Sequence, residues 1–124
     1  MPGALPALIK AYRIQEKAAH VGFDWDCPDQ VWEKVKEEAS EVEEEIKAGR
    51  KDGIEEEFGD LFFSIVNAAR LYGVVPENAL ELTNRKFIRR FNFLEAKAKE
   101  MGRSLKDMTL AEMDEIWNEA KRME

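Results

Sequence analysis

The sequence predicts an all-α domain, a bundle of about five helices built on a four-helix core, and three observations carry that reading. Apolar residues recur at spacings of three and four from the first segment to the last, while strand-like alternation is rare. Gly22, Gly49, Gly73 and Gly102, with Pro28 and Pro76, stand at the joints between these periodic stretches, where helices stop and start. Hydrophobic residues at 44% against charged residues at 36% give the balance of a chain that folds around a core.

Each element follows from its own signals. A first helix runs from Leu5 or Pro6 to His20 and ends before Gly22. Gly22 to Pro28 forms a loop, with Asp26 or Cys27 at the next N-cap and Pro28 pre-set for the first turn of a helix that reaches about Ala48. Gly49 and Gly53 bracket a short basic turn, Arg50-Lys51-Asp52, and a third helix continues to Tyr72. Pro76 opens a long fourth helix that ends near Gly102. Thr109 caps the last one, with Glu112 three residues on completing a capping box.

The 124 residues suit a single domain spanning 1–124, and no repeat or low-complexity tract divides them. A net charge of −7 argues against a nucleic-acid polymer as partner, and no apolar run approaches the roughly 20 residues of a membrane span. A single cysteine, Cys27, and a start, MPGALPALIKAYR, without a secretory pattern point to a soluble protein of the reducing cytoplasm. His20, the one histidine, leaves no histidine-rich metal centre or Ser-His-Asp triad to build, and it reads as a helix-end or packing residue.

Chemistry concentrates in two acidic runs. Helical residues advance by about 100° each, so the acids can be sorted by direction. On the second helix Val31, Val35, Val42 and Ile46 form the apolar stripe; Glu38 and Glu41 flank it at about 60° and 120° from Val35, while Glu33, Glu37 and Glu44 point away. On the third, Ile54, Phe58, Leu61, Ile65, Ala69 and Tyr72 form the stripe; Glu57 and Asp60 sit at about 80° and 140° from Ile65. A short turn makes the two helices an antiparallel hairpin, which brings E-x-x-E and E-x-x-D to one cleft, and Gly59 leaves room there for a close approach. Four converging carboxylates repel unless a cation compensates them. All-oxygen ligation selects Mg²⁺, with Mn²⁺ as a substitute, over zinc, and no Glu-x-x-His pair supports a di-iron centre.

Basic residues supply the complement. On the fourth helix Leu80, Phe87, Phe91, Leu94 and Ala98 form the stripe; Lys86 and Arg90 lie together on one flank, while Arg85 and Arg89 point outward. Trp117 and Lys121 share a face of the last helix, an arrangement that in isolation reads as a core aromatic beside a snorkelling lysine. Acids holding a metal on one side and Lys and Arg on the other are the charge pattern of a polyphosphate site. From Phe58 to Tyr72 the third helix is apolar on almost every side, with Phe63 and Val66 facing away from its stripe, so a homodimer is expected.

KVKEEASE, EEEFGDLFFSIVNAAR, NRKFIRRF and EIWNEAKR, in this order and together with GFDWD, resemble the MazG-type nucleoside triphosphate pyrophosphohydrolases, specifically the C-terminal catalytic domain of the two-domain bacterial proteins. The likeness runs from about Leu5 to Arg122. It implies an all-α, dimeric, Mg²⁺-dependent enzyme that cleaves nucleoside triphosphates to monophosphate and pyrophosphate with broad base tolerance. At matching positions it makes Glu38, Glu41, Glu57 and Asp60 metal ligands, Lys86 and Arg90 triphosphate contacts, and Trp117 and Lys121 aids to nucleotide binding. Glu38 and Glu41 are the candidate water activators. The longer relatives carry a similar N-terminal domain, so the chain is either a stand-alone form or half of such a protein. Two alternatives stand beside this reading: a narrow relative acting on dUTP, dCTP or phosphoribosyl-ATP, and a non-catalytic acidic helical interaction module.

Overall fold

The computed structural model describes residues 5–124; residues 1–4, the start of the MPGALPALIKAYR stretch, lie outside the described residues. Its helices are α1 (Ala7–His20), α2 (Pro28–Ala48), α3 (Lys51–Leu71), α4 (Pro76–Glu100) and α5 (Leu110–Arg122), with a 3₁₀ turn at Leu105–Asp107 and no strand among the described residues. No single helix among them is long and apolar enough to cross a membrane. Packing divides the chain into two compact units, Met1–Ala79 and Leu80–Glu124.

In the first unit α2 and α3 pack along each other as a hairpin, and α1 lies against α3. Cys27, extended and without a side-chain cap bond, is the N-cap of α2, and Pro28 occupies the first helical position. The turn between α2 and α3 is tighter than Arg50-Lys51-Asp52: only Gly49 and Arg50 separate the helices, and Gly53 already lies inside α3. Gly49 adopts φ 71°, the left-handed geometry that closes a helix without a Cβ clash. Arg50 folds back to donate two hydrogen bonds to Glu45, at 2.9 and 2.8 Å. Gly53 lies beside that pair, and a Cβ there would press on the Glu45 carboxylate, which would have to shift. Gly59, by contrast, has nothing outside its own stretch of helix within 4 Å of where its Cβ would stand, so no described residue makes the close approach expected there.

The hairpin core is Val31, Val35 and Ala68, with Leu61 and Leu71 packed against them. Val31 is fully enclosed, a burial that contributes about 2 kcal/mol. Two expected stripes shift. Ile46, at the far end of α2, is exposed. On α3 the enclosed residues are Ser64, Val66 and Ala68, whereas Phe58, Ile65 and Tyr72 are exposed. Between Phe58 and Tyr72 apolar residues occur on nearly every side, so a wheel defines no unique inner face there. Val66, expected to face away, is buried on the side roughly opposite Ser64 and Ala68, while Phe63 stays 45% exposed.

The second unit is built around Leu94, Ala98, Met108 and Ile116, lined by Phe93, Leu105, Met113 and Trp117. The apolar stripe of α4 is buried only from Leu94 onward; Leu80, Phe87 and Phe91 remain exposed. Thr109 and Glu112 form the expected capping box at α5, with both reciprocal bonds present, at 2.9 and 3.1 Å. Arg103 joins Glu112 from outside the helix.

Candidate metal centre and adjoining cavity

Glu38 and Glu41 stand three residues apart on α2, hence on one side of it, and Glu57 faces them from α3. Each offers a carboxylate oxygen, and the three oxygens lie within 4.8 Å of one another. Glu57 reaches this position because it lies seven residues before Ser64, almost in line with it on the helix face turned inward. Asp60 does not join the group: it is exposed and lines a neighbouring cavity together with Glu38.

Charge in the cluster is unbalanced. Glu38 is 6% exposed, and one of its oxygens receives Lys34 Nζ at 3.0 Å. Its Oε2, and Oε2 of Glu57, are buried without any hydrogen-bond partner. Glu41 is pushed up to about 7, chiefly because a proton held against Glu57 relieves the two carboxyls, with desolvation and the Glu38 charge adding to the effect. Lys34 is raised by its bond to Glu38. One lysine thus serves three acids, and buried acceptors with nothing to accept are expensive in an isolated chain. All-oxygen donors so placed fit a hard divalent cation.

A cavity of about 660 Å³ opens beside the cluster, walled by α1, the 21–27 loop, α2 and α3; it shares Glu38 with the cluster and is lined by Asp60 as well. Phe23, Trp25 and Phe63 supply aromatic surface. Arg70 donates to Asp24 at 2.5 and 3.2 Å and to Asn67 Oδ1 at 2.8 and 3.1 Å, fastening the loop to α3. Asp24 is lowered, mainly by that guanidinium. Gln15 donates to the Phe63 carbonyl at 2.9 Å, leaving its buried Oε1 without a partner. Lys34, Asp24, Asn67, Arg70 and Gln15 escaped the reading of spacing alone. The available signals were a lysine four before Glu38 and a lone arginine in the largely apolar second half of α3, which demands a partner.

In the second unit Arg90 donates to both oxygens of Glu124, at 3.0 and 2.8 Å. Glu124 is lowered chiefly by its hydrogen bonds from Arg90, and the charges of Arg89 and Lys86 add to the effect. Arg89, read from the sequence as outward, takes part. Trp117 rests on Phe87, ring centroids 4.9 Å apart, and on the core of this unit; Lys121, one turn on, is exposed.

Residues 28–93, just over half the chain, match the family model described as the MazG nucleotide pyrophosphohydrolase domain, a span that contains Glu38, Glu41, Glu57, Asp60, Lys86 and Arg90. The chain is 47% identical over 117 residues to the nucleoside triphosphate pyrophosphohydrolase/pyrophosphatase MazG of Thermotoga maritima, covering 94% of this chain and 45% of that protein. It is 42% identical over 126 residues to the nucleoside triphosphate pyrophosphohydrolase of Escherichia coli K12, covering 100% of this chain and 48% of that one. YabN of Bacillus subtilis, an uncharacterized protein, is 50% identical over 78 residues, 63% of this chain and 16% of its own length. The chain therefore spans about half the length of the two pyrophosphohydrolases it matches.

Proposed function

This chain belongs to the MazG nucleotide pyrophosphohydrolase family, and from that premise we propose that it hydrolyses nucleoside triphosphates to the monophosphate and pyrophosphate, with Mg²⁺ as its cation, Mn²⁺ as a substitute, and broad base tolerance. The observation that supports this best is the Glu38, Glu41 and Glu57 cluster, whose buried, unpartnered oxygens await a positive charge. Glu38, Glu41 and Glu57 would hold the ion, and Asp60, at the cavity edge, would join them when a nucleotide is bound. The ion would neutralise phosphate charge and acidify water.

The protein's own groups account for the rest of the chemistry. Glu38 and Glu41, side by side on α2 where the ion would sit, are the candidate groups to accept a proton from water. That water attacks the α-phosphorus, the bond to the bridging oxygen breaks, and pyrophosphate leaves with no covalent enzyme intermediate. Lys86 and Arg90 are the groups suited to hold the triphosphate and the charge gathering on the leaving group. The Arg90–Glu124 pair supports this for Arg90, which already holds a carboxylate with two hydrogen bonds. Trp117 and Lys121 would assist nucleotide binding. A homodimer, formed by burial of Phe58, Phe62, Phe63 and Ile65 on α3, belongs to the same reading. A cytoplasmic location goes with the exposed free thiol of Cys27.

The test is pyrophosphate release from the eight common nucleoside triphosphates, with Mg²⁺ and with chelator. Metal-dependent release from several of them supports the proposal; release from dUTP or dCTP alone would favour a narrow enzyme, and no release from any would leave an interaction module.

A further inference from the structure

Arg90, a group suited to hold the triphosphate, is already engaged by an acid of its own chain. Its Nε and Nη2 donate to the two oxygens of Glu124 at 3.0 and 2.8 Å, the paired geometry in which a guanidinium also takes a phosphate. The Arg90 side chain is only 18% exposed, whereas that of Glu124 is 31% exposed. The charges of Arg89 and Lys86 draw the same carboxylate in and help to keep it ionised. Met123 keeps helical dihedrals beyond the end of α5, so Glu124 follows Lys121 by one turn and Trp117 by two, on the same side. An internal anion thus stands at the very groups proposed to receive a nucleotide.

The contact is built to release. Glu112, the other acid that an arginine holds in this unit, is also fixed by the Thr109 backbone N–H, but among the described residues the Glu124 side chain has Arg90 as its only hydrogen-bond partner. The backbone N–H of Glu124 is tied to α5 by one bond, to the Lys121 carbonyl at 3.3 Å, and Met123 beside it is 68% exposed. Swinging Glu124 away therefore uncovers little apolar surface. We propose that Glu124 is an autoinhibitory stand-in for phosphate, which the polyphosphate chain of the substrate must displace from Arg90. The proposal rests on the pyrophosphohydrolase reading for its substrate class. While Glu124 is in place Arg90 is closed to ligands, and apparent affinity is reduced by the fraction of molecules in which it is open. The same factor applies to triphosphate entering and to pyrophosphate leaving, so the returning carboxylate helps to expel the product. A monophosphate lacks the phosphates that Arg90 would hold and escapes the competition.

Glu124→Ala tests the assignment, with helicity by circular dichroism as the check on folding. In the variant KM for ATP and the inhibition constant of pyrophosphate should both fall roughly fivefold, while the inhibition constant of AMP stays within about twofold of the wild type. Introduced into Arg90→Ala, the same substitution should leave KM where it was, because the contact it relieves is already gone. A rise in KM or a fall in kcat on Glu124→Ala makes Glu124 a positioning residue for Arg90 and overturns the proposal. A shift for AMP as large as that for pyrophosphate, or one that persists in Arg90→Ala, reduces the effect to the loss of a negative charge and overturns it as well.

Binding without turnover supplies a second arm. Pyrophosphate titrated calorimetrically in the presence of Mg²⁺ should bind Glu124→Ala roughly fivefold more tightly than the wild type. Equal affinities, or no saturable binding by either protein, overturn the proposal. If the wild type releases no pyrophosphate from any nucleoside triphosphate, the enzymatic reading fails by itself, and this arm still decides whether Glu124 guards an anion site at Arg90.

Discussion

Glu112 in the second unit and Glu41 in the first carry the same carboxyl group, yet one is held down to about 2 and the other pushed up to about 7. Glu112 has everything a carboxylate needs within its own chain: the Arg103 guanidinium, which dominates the shift, and the Thr109 backbone N–H at the start of α5. Glu41 faces Glu57 and Glu38, and Lys34 makes its ion pairs with Glu38 and Glu37 instead of with Glu41. An acid that closes a helix is satisfied on folding; an acid facing two others is left needing something from outside. The difference separates carboxylates that build structure from those that await a ligand, although both occur in runs of similar composition.

The sharpest way to break this contrast is Glu38→Gln. Pyrophosphate release should fall by roughly 10³-fold while helicity by circular dichroism is retained, and near-normal release would return Glu38 to the structural class. Next in size, Arg90→Ala should reduce kcat/KM by roughly 10²-fold; an unaltered value would mean that Arg90 serves only to hold Glu124. Within the packing of the hairpin, Val31→Ala should cost about 2 kcal/mol in denaturant unfolding. Thr109→Ala, which removes half of the capping box in the second unit, should cost about 1 kcal/mol by the same measurement and leave turnover intact.

Opposite pH dependences follow from the two shifts and are the finest test. The folded-state pKa of Glu112 lies below the ordinary 4.5, so its contribution to stability is complete above about pH 4.5 and is lost as pH falls towards 2. That of Glu41 lies above 4.5, so without metal the folded state binds the proton more tightly, and this contribution is lost as pH rises from about 4.5 to 7. Melting curves of wild type, Glu112→Gln and Glu41→Gln in chelator should diverge in those separate windows. Parallel curves for wild type and Glu41→Gln between pH 4.5 and 7 would dismiss the crowding of the three acids.

Much of this was legible in the sequence. Helix boundaries follow from Pro28, Gly49, Pro76 and the Thr109–Glu112 box because capping is local, decided by residues within one turn of each other. Glu38, Glu41 and Glu57 were selected by direction and are found together. What the wheel missed is the way α3 is enclosed, since from Phe58 to Tyr72 apolar residues on nearly every side leave periodicity little to fix an inner face. Val66 is buried on the side opposite Ser64 and Ala68, Ile65 is exposed, and Asp60 stands at the cavity instead of in the cluster. The Asp24–Arg70–Asn67 chain was out of reach for another reason: its loop member lies 46 residues from Arg70, and no local pattern records such a pairing.

Calorimetric titration of Mg²⁺ into chelator-treated protein above pH 7, in wild type and in Glu38→Gln and Glu57→Gln, tests the central claim most directly. A saturable heat in the wild type that both variants lose is the expected result. Absence of saturable binding in the wild type, or binding that survives both substitutions, would contradict the account.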